Sequence, residues 1–198
     1  YSGRLEEYYE ELAEHYSKSD DVEKALEYLI KAGDKSKGAY ANQQAIDYYD
    51  RAMNIINQSP EGGTDQKLSI LDSLGDIYHL IGKSDEAIQS YEDALEYSRD
   101  NRRRADIYRK IASIYARKLQ PDLVLKYIDT ALEELGQDTQ SVELARIYSV
   151  AMDIFMRPCS WCNDDKALDY GFRSLSIVEG TEHKRELVEV YLNLVEIY

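Results

Sequence analysis

The sequence predicts an all-α chain built of repeated, paired helices. Three observations lead there. Leu71, Leu74, Gly75 and Tyr78 fall on one stripe, and after a Gly82-Lys83-Ser84 break Ala87, Tyr91 and Ala94 form a second. Apolar positions three and four apart mark amphipathic helices that bury one side. The register then recurs: Tyr9, Leu12, Ala13 and Tyr16 precede Ala25, Leu29 and Ala32, and Tyr108, Ile111, Ala112 and Tyr115 precede Val124, Ile128 and Ala131. In all three copies 16 residues separate the opening residues of the two stripes. Finally, 10 Gly, 3 Pro and 31% charged residues leave little to interrupt helices.

The elements follow in order. Residues 3–17 are predicted as the first helix, with Tyr9, Leu12, Ala13 and Tyr16 inward. Asp20, with Glu23 three residues on, forms a capping box for a second helix over about 21–33 that stops near Gly33. A second repeat, about 34–58, has a first helix shortened to Lys35–Asn42, followed by the second-helix signature Ala45, Tyr49 and Ala52. Gln58-Ser59-Pro60-Glu61-Gly62-Gly63 reads as a loop.

The third repeat covers about 64–100 with Thr64 as cap, and the fourth about 102–136 with Pro121 in the first turn of its second helix. The fifth, about 139–180, pairs Leu144, Tyr148, Ala151, Met152 and Phe155 with Ala167, Gly171 and Ser174, its turn longer by three residues. A last helix, 181–198, repeats the stripe as Tyr191, Leu194, Val195 and Tyr198 and is expected to cover the open end. The array is read as one domain.

Composition limits the function. The 18 Tyr against two Phe suit a thin two-layer array, where a ring buries while its hydroxyl stays wet. A net charge of −14 argues against nucleic acid as the principal partner. No apolar run reaches the roughly 18 residues of a membrane span. No signal peptide is read, and two cysteines make no disulfide framework, so the expected setting is cytoplasmic. A chain starting at Tyr1 and ending inside an amphipathic pattern at Tyr198 reads as a fragment of a larger protein.

These paired stripes resemble the tetratricopeptide repeat (TPR), a helix–turn–helix unit, and the resemblance implies that the pairs stack as a solenoid, a right-handed α-α superhelix. The offsets between Leu71, Tyr108, Tyr148 and Tyr191 are 37, 40 and 43 residues, longer than the usual repeat of about 34. Within Arg4–Met53, the segments His15–Ser19, Ala32-Gly33-Asp34 and Ala39–Ala52 are similar to the repeat region of bacterial and archaeal adenylate/guanylate cyclase-like and AAA-type signalling proteins. That resemblance implies a regulatory part whose catalytic module lies elsewhere, and no P-loop occurs here.

The TPR resemblance implies a concave groove lined by first helices and filled by a partner peptide or helix. The groove candidates are Asp72, Asp76 and His79 on the third repeat and Arg109, Ser113 and Arg117 on the fourth. The fifth offers Arg146, Ser149, Asp153 and Met156, and the last helix Asn193. Arg102, Arg103, Arg104, Arg109, Lys110, Arg117 and Lys118 concentrate the positive charge, either to hold partner carboxylates or to balance the chain's own acids. Glu10 and Glu14 stand where TPR co-chaperones place carboxylate-clamp residues, so a peptide C-terminus is not expected on the first repeat.

Cys159-Ser160-Trp161-Cys162 is read as a packing turn, with a redox pair or half a zinc site as alternatives. No nucleophile–base pair, metal set or cofactor site is read, so the expected function is a non-catalytic protein–protein interaction scaffold in signalling. Self-association of the parent protein is the alternative.

Overall fold

The computed structural model describes residues 5–58, 63–136, 140–156 and 162–197. Every regular element among them is a helix: α1 Tyr9–Tyr16, α2 Val22–Gly38, α3 Asn42–Gln58, α4 Thr64–Leu80, α5 Ser84–Tyr97, α6 Asn101–Arg117, α7 Pro121–Leu135, α8 Val142–Met156, α9 Asp164–Val178 and α10 Lys184–Ile197. The all-α class and the helix pairing are as the periodicity predicts, and the stacking as a solenoid is as the resemblance implies. The chain divides into two compact units, residues 1–97 and 98–198.

In the first unit α2 packs against both α1 and α3, α4 against α5, and α3 against α4. Its core gathers Ala13, Leu29, Ala32, Ala45, Tyr49, Ala52, Ile70, Leu74 and Ile77. The helix expected to stop near Gly33 instead runs on to Gly38, and no separate short helix occupies Lys35–Asn42. Gly33 keeps negative φ, so it makes no left-handed cap. A Cβ there would meet the Tyr49 ring at 2.6 Å. The position is glycine because an aromatic ring lies on the backbone. α2 therefore carries two overlapping stripes: Ala25, Leu29 and Ala32 belong to the pair with α1, and Leu29, Ala32 and Gly33 repeat Leu71, Leu74 and Gly75 exactly 42 positions earlier.

In the second unit α6 pairs with α7 and α8 with α9; α8 also rests on α6 and α7, and α10 lies on α9 and α8. Val124, Ile128, Ala131, Ile147, Ala151, Met152, Ile154 and Ala167 form the continuous interior. At the α8/α9 crossing the bulk changes sides. Met152 stands where the other first helices carry Gly75 or Ala112, and Gly171 opposite receives it, its missing Cβ lying 2.6 Å from the Met152 sulfur. Ser174 is fully buried and donates to the Ala145 carbonyl at 2.8 Å, tying the same two helices.

Three pairs share an aromatic clamp. Two rings seven residues apart on the first helix grip one ring of the second: Tyr9 and Tyr16 around Tyr28, Tyr108 and Tyr115 around Tyr127, Tyr148 and Phe155 around Tyr170. In each the later ring stacks, at centroid distances of 5.3, 5.4 and 5.9 Å. Such contacts add about 0.5–1.5 kcal/mol beyond burial.

Caps and turns differ from expectation at single positions. Asp21, rather than Asp20, accepts from the Lys24 amide at 3.1 Å. α4 begins after Gly63 in the left-handed region, with Thr64 already helical. Pro121 opens α7 as predicted. Three of the turns within pairs contain one left-handed residue: Gly82 supplies it between α4 and α5, whereas Tyr40 and Leu119 adopt φ of 58° and 55° between α2 and α3 and between α6 and α7. A side chain in that conformation costs about 1–2 kcal/mol, part of which returns on mutation to glycine. Leu119→Gly is expected to raise stability by about 0.5–1 kcal/mol, read as a higher midpoint in thermal unfolding. The Gln58–Gly63 loop lies mostly, and Cys159 to Trp161 entirely, outside the described residues; Cys162 is exposed. No helix among the described residues is long and apolar enough to cross a membrane.

Candidate partner-binding faces of the first helices

In the first unit the candidates Asp72, Asp76 and His79 lie half-buried on α4. Asp76 is the most engaged. It accepts from Lys37 Nζ of α2 at 2.8 Å and from the Tyr91 hydroxyl of α5 at 2.8 Å. Lys37 also donates to Ser73 Oγ at 3.3 Å. One layer away Tyr49 donates to Asp34 at 2.6 Å. Burial, then the bond to Asp34, pushes the Tyr49 hydroxyl far above its ordinary pKa, so it stays a donor. The first helices α2 and α4 are thus joined by a polar bridge, Lys37 and Asp76 each about one-third exposed.

Sequence reading missed Lys37 because it placed a broken, shortened helix there, and it treated Tyr49 and Tyr91 only as interior rings. The signal was present: Gly33-Asp34 and Tyr49 repeat as Gly75-Asp76 and Tyr91 with the same internal spacing. Tyr28, Tyr127 and Tyr170 of the clamps were missed because each sits beside, not on, the second-helix stripe.

In the second unit two of the basic candidates, Arg109 and Arg146, are held by the chain's own carboxylates, as is Arg104 of the same basic stretch as Arg109. Arg109 donates to Asp106 at 2.8 Å, Lys110 approaches the same carboxylate at 3.9 Å, and Arg104 donates to Glu134 at 2.7 Å. Arg146 donates through Nε to Glu186 of α10 at 3.0 Å and through a second nitrogen to the same oxygen. That bond holds the Glu186 carboxyl below the usual carboxylate range. These pairs match the counter-charge reading of the basic stretch.

Ser113 donates to the Arg109 carbonyl, and Ser149 to Ala145 O beside Ser174. Asp153 on α8 and Asn193 on α10 are half-buried, and Arg117 is exposed at the end of α6. The structure therefore brings Asp72, Asp76 and His79 together on one helix, while the second-unit candidates are spread over α6, α8 and α10.

Two open clefts lie elsewhere. One of about 480 Å3 is lined by Tyr16, Val22, Arg51, Ile55 and Gln58, the other of about 380 Å3 by Leu132, Leu144, Tyr148, Arg173 and Ile177. Each has an apolar floor, with its arginine paired: Arg51 to Glu14, Arg173 to Asp169.

Comparison with known proteins agrees with this geometry. A tetratricopeptide repeat family model matches residues 42–100. An uncharacterized protein of Rhizobium meliloti (strain 1021) is 36% identical over 94 residues, 44% of this chain. The chain's match spans 9% of that relative's length. Among solved structures, BtubC (BKLC) from P. vanneervenii superposes with a TM-score of 0.76 at 21% identity, covering 99% of this chain and 82% of that one. MamA gives 0.55 at 15% identity over 89% and 93% of the two chains. YrrB, described as a TPR protein with an unusual peptide-binding site, gives 0.51 at 16% over 90% and 92%. Residues 42–100 are accordingly a tetratricopeptide-repeat segment, and the chain around them has the TPR-like all-α helical-repeat fold.

Proposed function

We propose that the chain is a non-catalytic protein–protein interaction module that takes an extended peptide or partner helix on the outward polar face of its first helices, as the regulatory part of a larger signalling protein in the cytoplasm. The observation that carries this reading is the bridge from Lys37 to Ser73 and Asp76. It holds α2 and α4 at fixed spacing while leaving their polar side chains about one-third exposed. Fixed, half-exposed donors and acceptors recognise a partner at low entropic cost. The family match over 42–100 supports the reading, and the peptide-binding site printed for YrrB is consistent with it. Asp72, Asp76 and His79 are the contact residues proposed in the first unit, and Arg109, Ser113, Arg117, Arg146, Ser149, Asp153 and Asn193 in the second.

Selection from a random peptide-display library tests this. Binders of the intact chain are expected to lose about tenfold or more in affinity on Arg117→Glu with thermal unfolding unchanged, and on Asp72→Lys with His79→Ala at a temperature where that variant is fully folded. Failure to select binders, or binders indifferent to every first-helix substitution, would remove the proposal.

A further inference from the structure

Residues 102–118 hold seven Lys or Arg and a single acid, Asp106, in a unit that carries 15 cations against 17 carboxylates over 98–198. Part of that positive charge is balanced inside the fold. Arg104 is bonded to Glu134 of α7, and Arg109 and Lys110 share Asp106. Arg103 and Arg117 have no carboxylate partner among the described residues. The reason is local. The carboxylates within one turn of Arg103 are Asp100, which caps the Arg102 amide, and Asp106, which Arg109 and Lys110 already occupy. No acid lies within four residues of Arg117. α8, which packs on α6, brings half-buried Glu143 and Asp153, and its Arg146 is bonded to Glu186 of α10. The exposed acids of α7, Asp122, Asp129 and Glu133, line a shallow surface of their own helix together with Lys126. Arg103 is half-buried, so it has lost part of its water without gaining an anion.

We propose that Arg103 and Arg117 bind carboxylates, and that the segment lying on the first helices of the second unit is an extended acidic peptide; this rests on the first-helix reading above. Arg103, Lys110 and Arg117 recur every seven residues, which keeps them on one side of α6. Arg103 and Arg117 are 14 residues apart, a rise of about 21 Å along the helix. An extended chain covers that distance in about six residues. Two carboxylates at that separation reach both arginines, and each guanidinium offers a planar fork that binds a carboxylate through two N–H groups. The basic line is one helix wide in a unit with more acids than bases. That suits a single chain of carboxylates and disfavours a nucleic acid or an anionic bilayer, whose spread charge would also meet the unit's own acids.

Titration of the 198-residue chain with acetylated, amidated octaglutamate, followed by NMR of the arginine Nε–H groups at low ionic strength, tests this. The Arg103 and Arg117 resonances are expected to shift, and affinity to fall about tenfold between about 20 and about 200 mM salt. Arg103→Gln with Arg117→Gln should lose about tenfold in affinity, measured at a temperature where that variant is fully folded. Arg185→Gln, which removes an exposed cation outside α6, should bind as the wild type does. Octaglutamine, matched in length and uncharged, should not bind. No binding of octaglutamate, or binding that the double substitution leaves unchanged, overturns the inference. Tighter binding of a short oligothymidylate or of phosphatidylglycerol vesicles at the same salt overturns it equally. Library binders that use the first-helix face, carry no acidic residue and ignore the double substitution overturn it while the proposed function stands; a library that yields no binder removes both.

Discussion

Gly75→Ala is expected to destabilise the unit of residues 1–97 by about 2 kcal/mol, a fall of roughly 8–16 °C in the midpoint of that unit. On helix propensity alone the substitution would stabilise, since alanine exceeds glycine by about 1 kcal/mol in a helix interior. The packing reverses the sign. A Cβ at Gly75 would run into the face of Tyr91, whose ring is 2% exposed and whose hydroxyl is anchored on Asp76, so the ring cannot swing away. The chain itself suggests the compensating change: in the α6/α7 pair the corresponding positions hold Ala112 and Ile128, both buried. Gly75→Ala with Tyr91→Ile should recover about half of the loss, the remainder being the Tyr91–Asp76 hydrogen bond of about 1 kcal/mol. Differential scanning calorimetry of the two variants reads this directly. A single variant as stable as wild type would show that the close approach does not govern this pair.

Arg146→Glu is expected to cost about 2 kcal/mol in the second unit, with the solvent screening of a guanidinium that is 40% exposed already allowed for. Glu186, its partner, is only 12% exposed, so the substitution leaves a largely buried carboxylate facing a second negative charge. The pair fastens α10 to α8, the connection that closes the end of that unit. The same pair makes a pH prediction. The folded Glu186 carboxyl has its pKa depressed, so its contribution is present above the unfolded value of about 4.3 and is lost as pH falls through the folded value. Melting curves from pH 7 down to about pH 3 should therefore fall less steeply for Arg146→Gln than for wild type. Identical slopes would show that the bond contributes nothing to folding.

Charge placement explains why the second-unit candidates were the harder ones to read. Arg109 looks like a partner-binding cation because like charges cluster nearby in sequence, and Arg146 because it lies off the inward stripe of its helix. Their carboxylate partners are Asp106, three residues away on the same helix, and Glu186, which arrives from α10 forty residues on. The first is visible as an i,i+3 spacing once the helix is assigned. The second depends on how α10 lies across α8, and nothing local reports it. Gly33 shows the same limit in the backbone: glycine followed by aspartate reads as a helix stop, and only the ring of Tyr49 makes it a close-packing position inside a 17-residue helix.

By itself the sequence determined the helical class, the pairing of stripes and most interior residues, because a 3.6-residue period and recurrent alanines are local properties of each helix. Tertiary structure alone decided which glycines were hosts for rings, which arginines were already neutralised, and that Tyr191 and Val195 of the last helix's apolar stripe face outward. Each of these depends on what a neighbouring helix places opposite, and the identity of that neighbour is set by stacking across tens of residues.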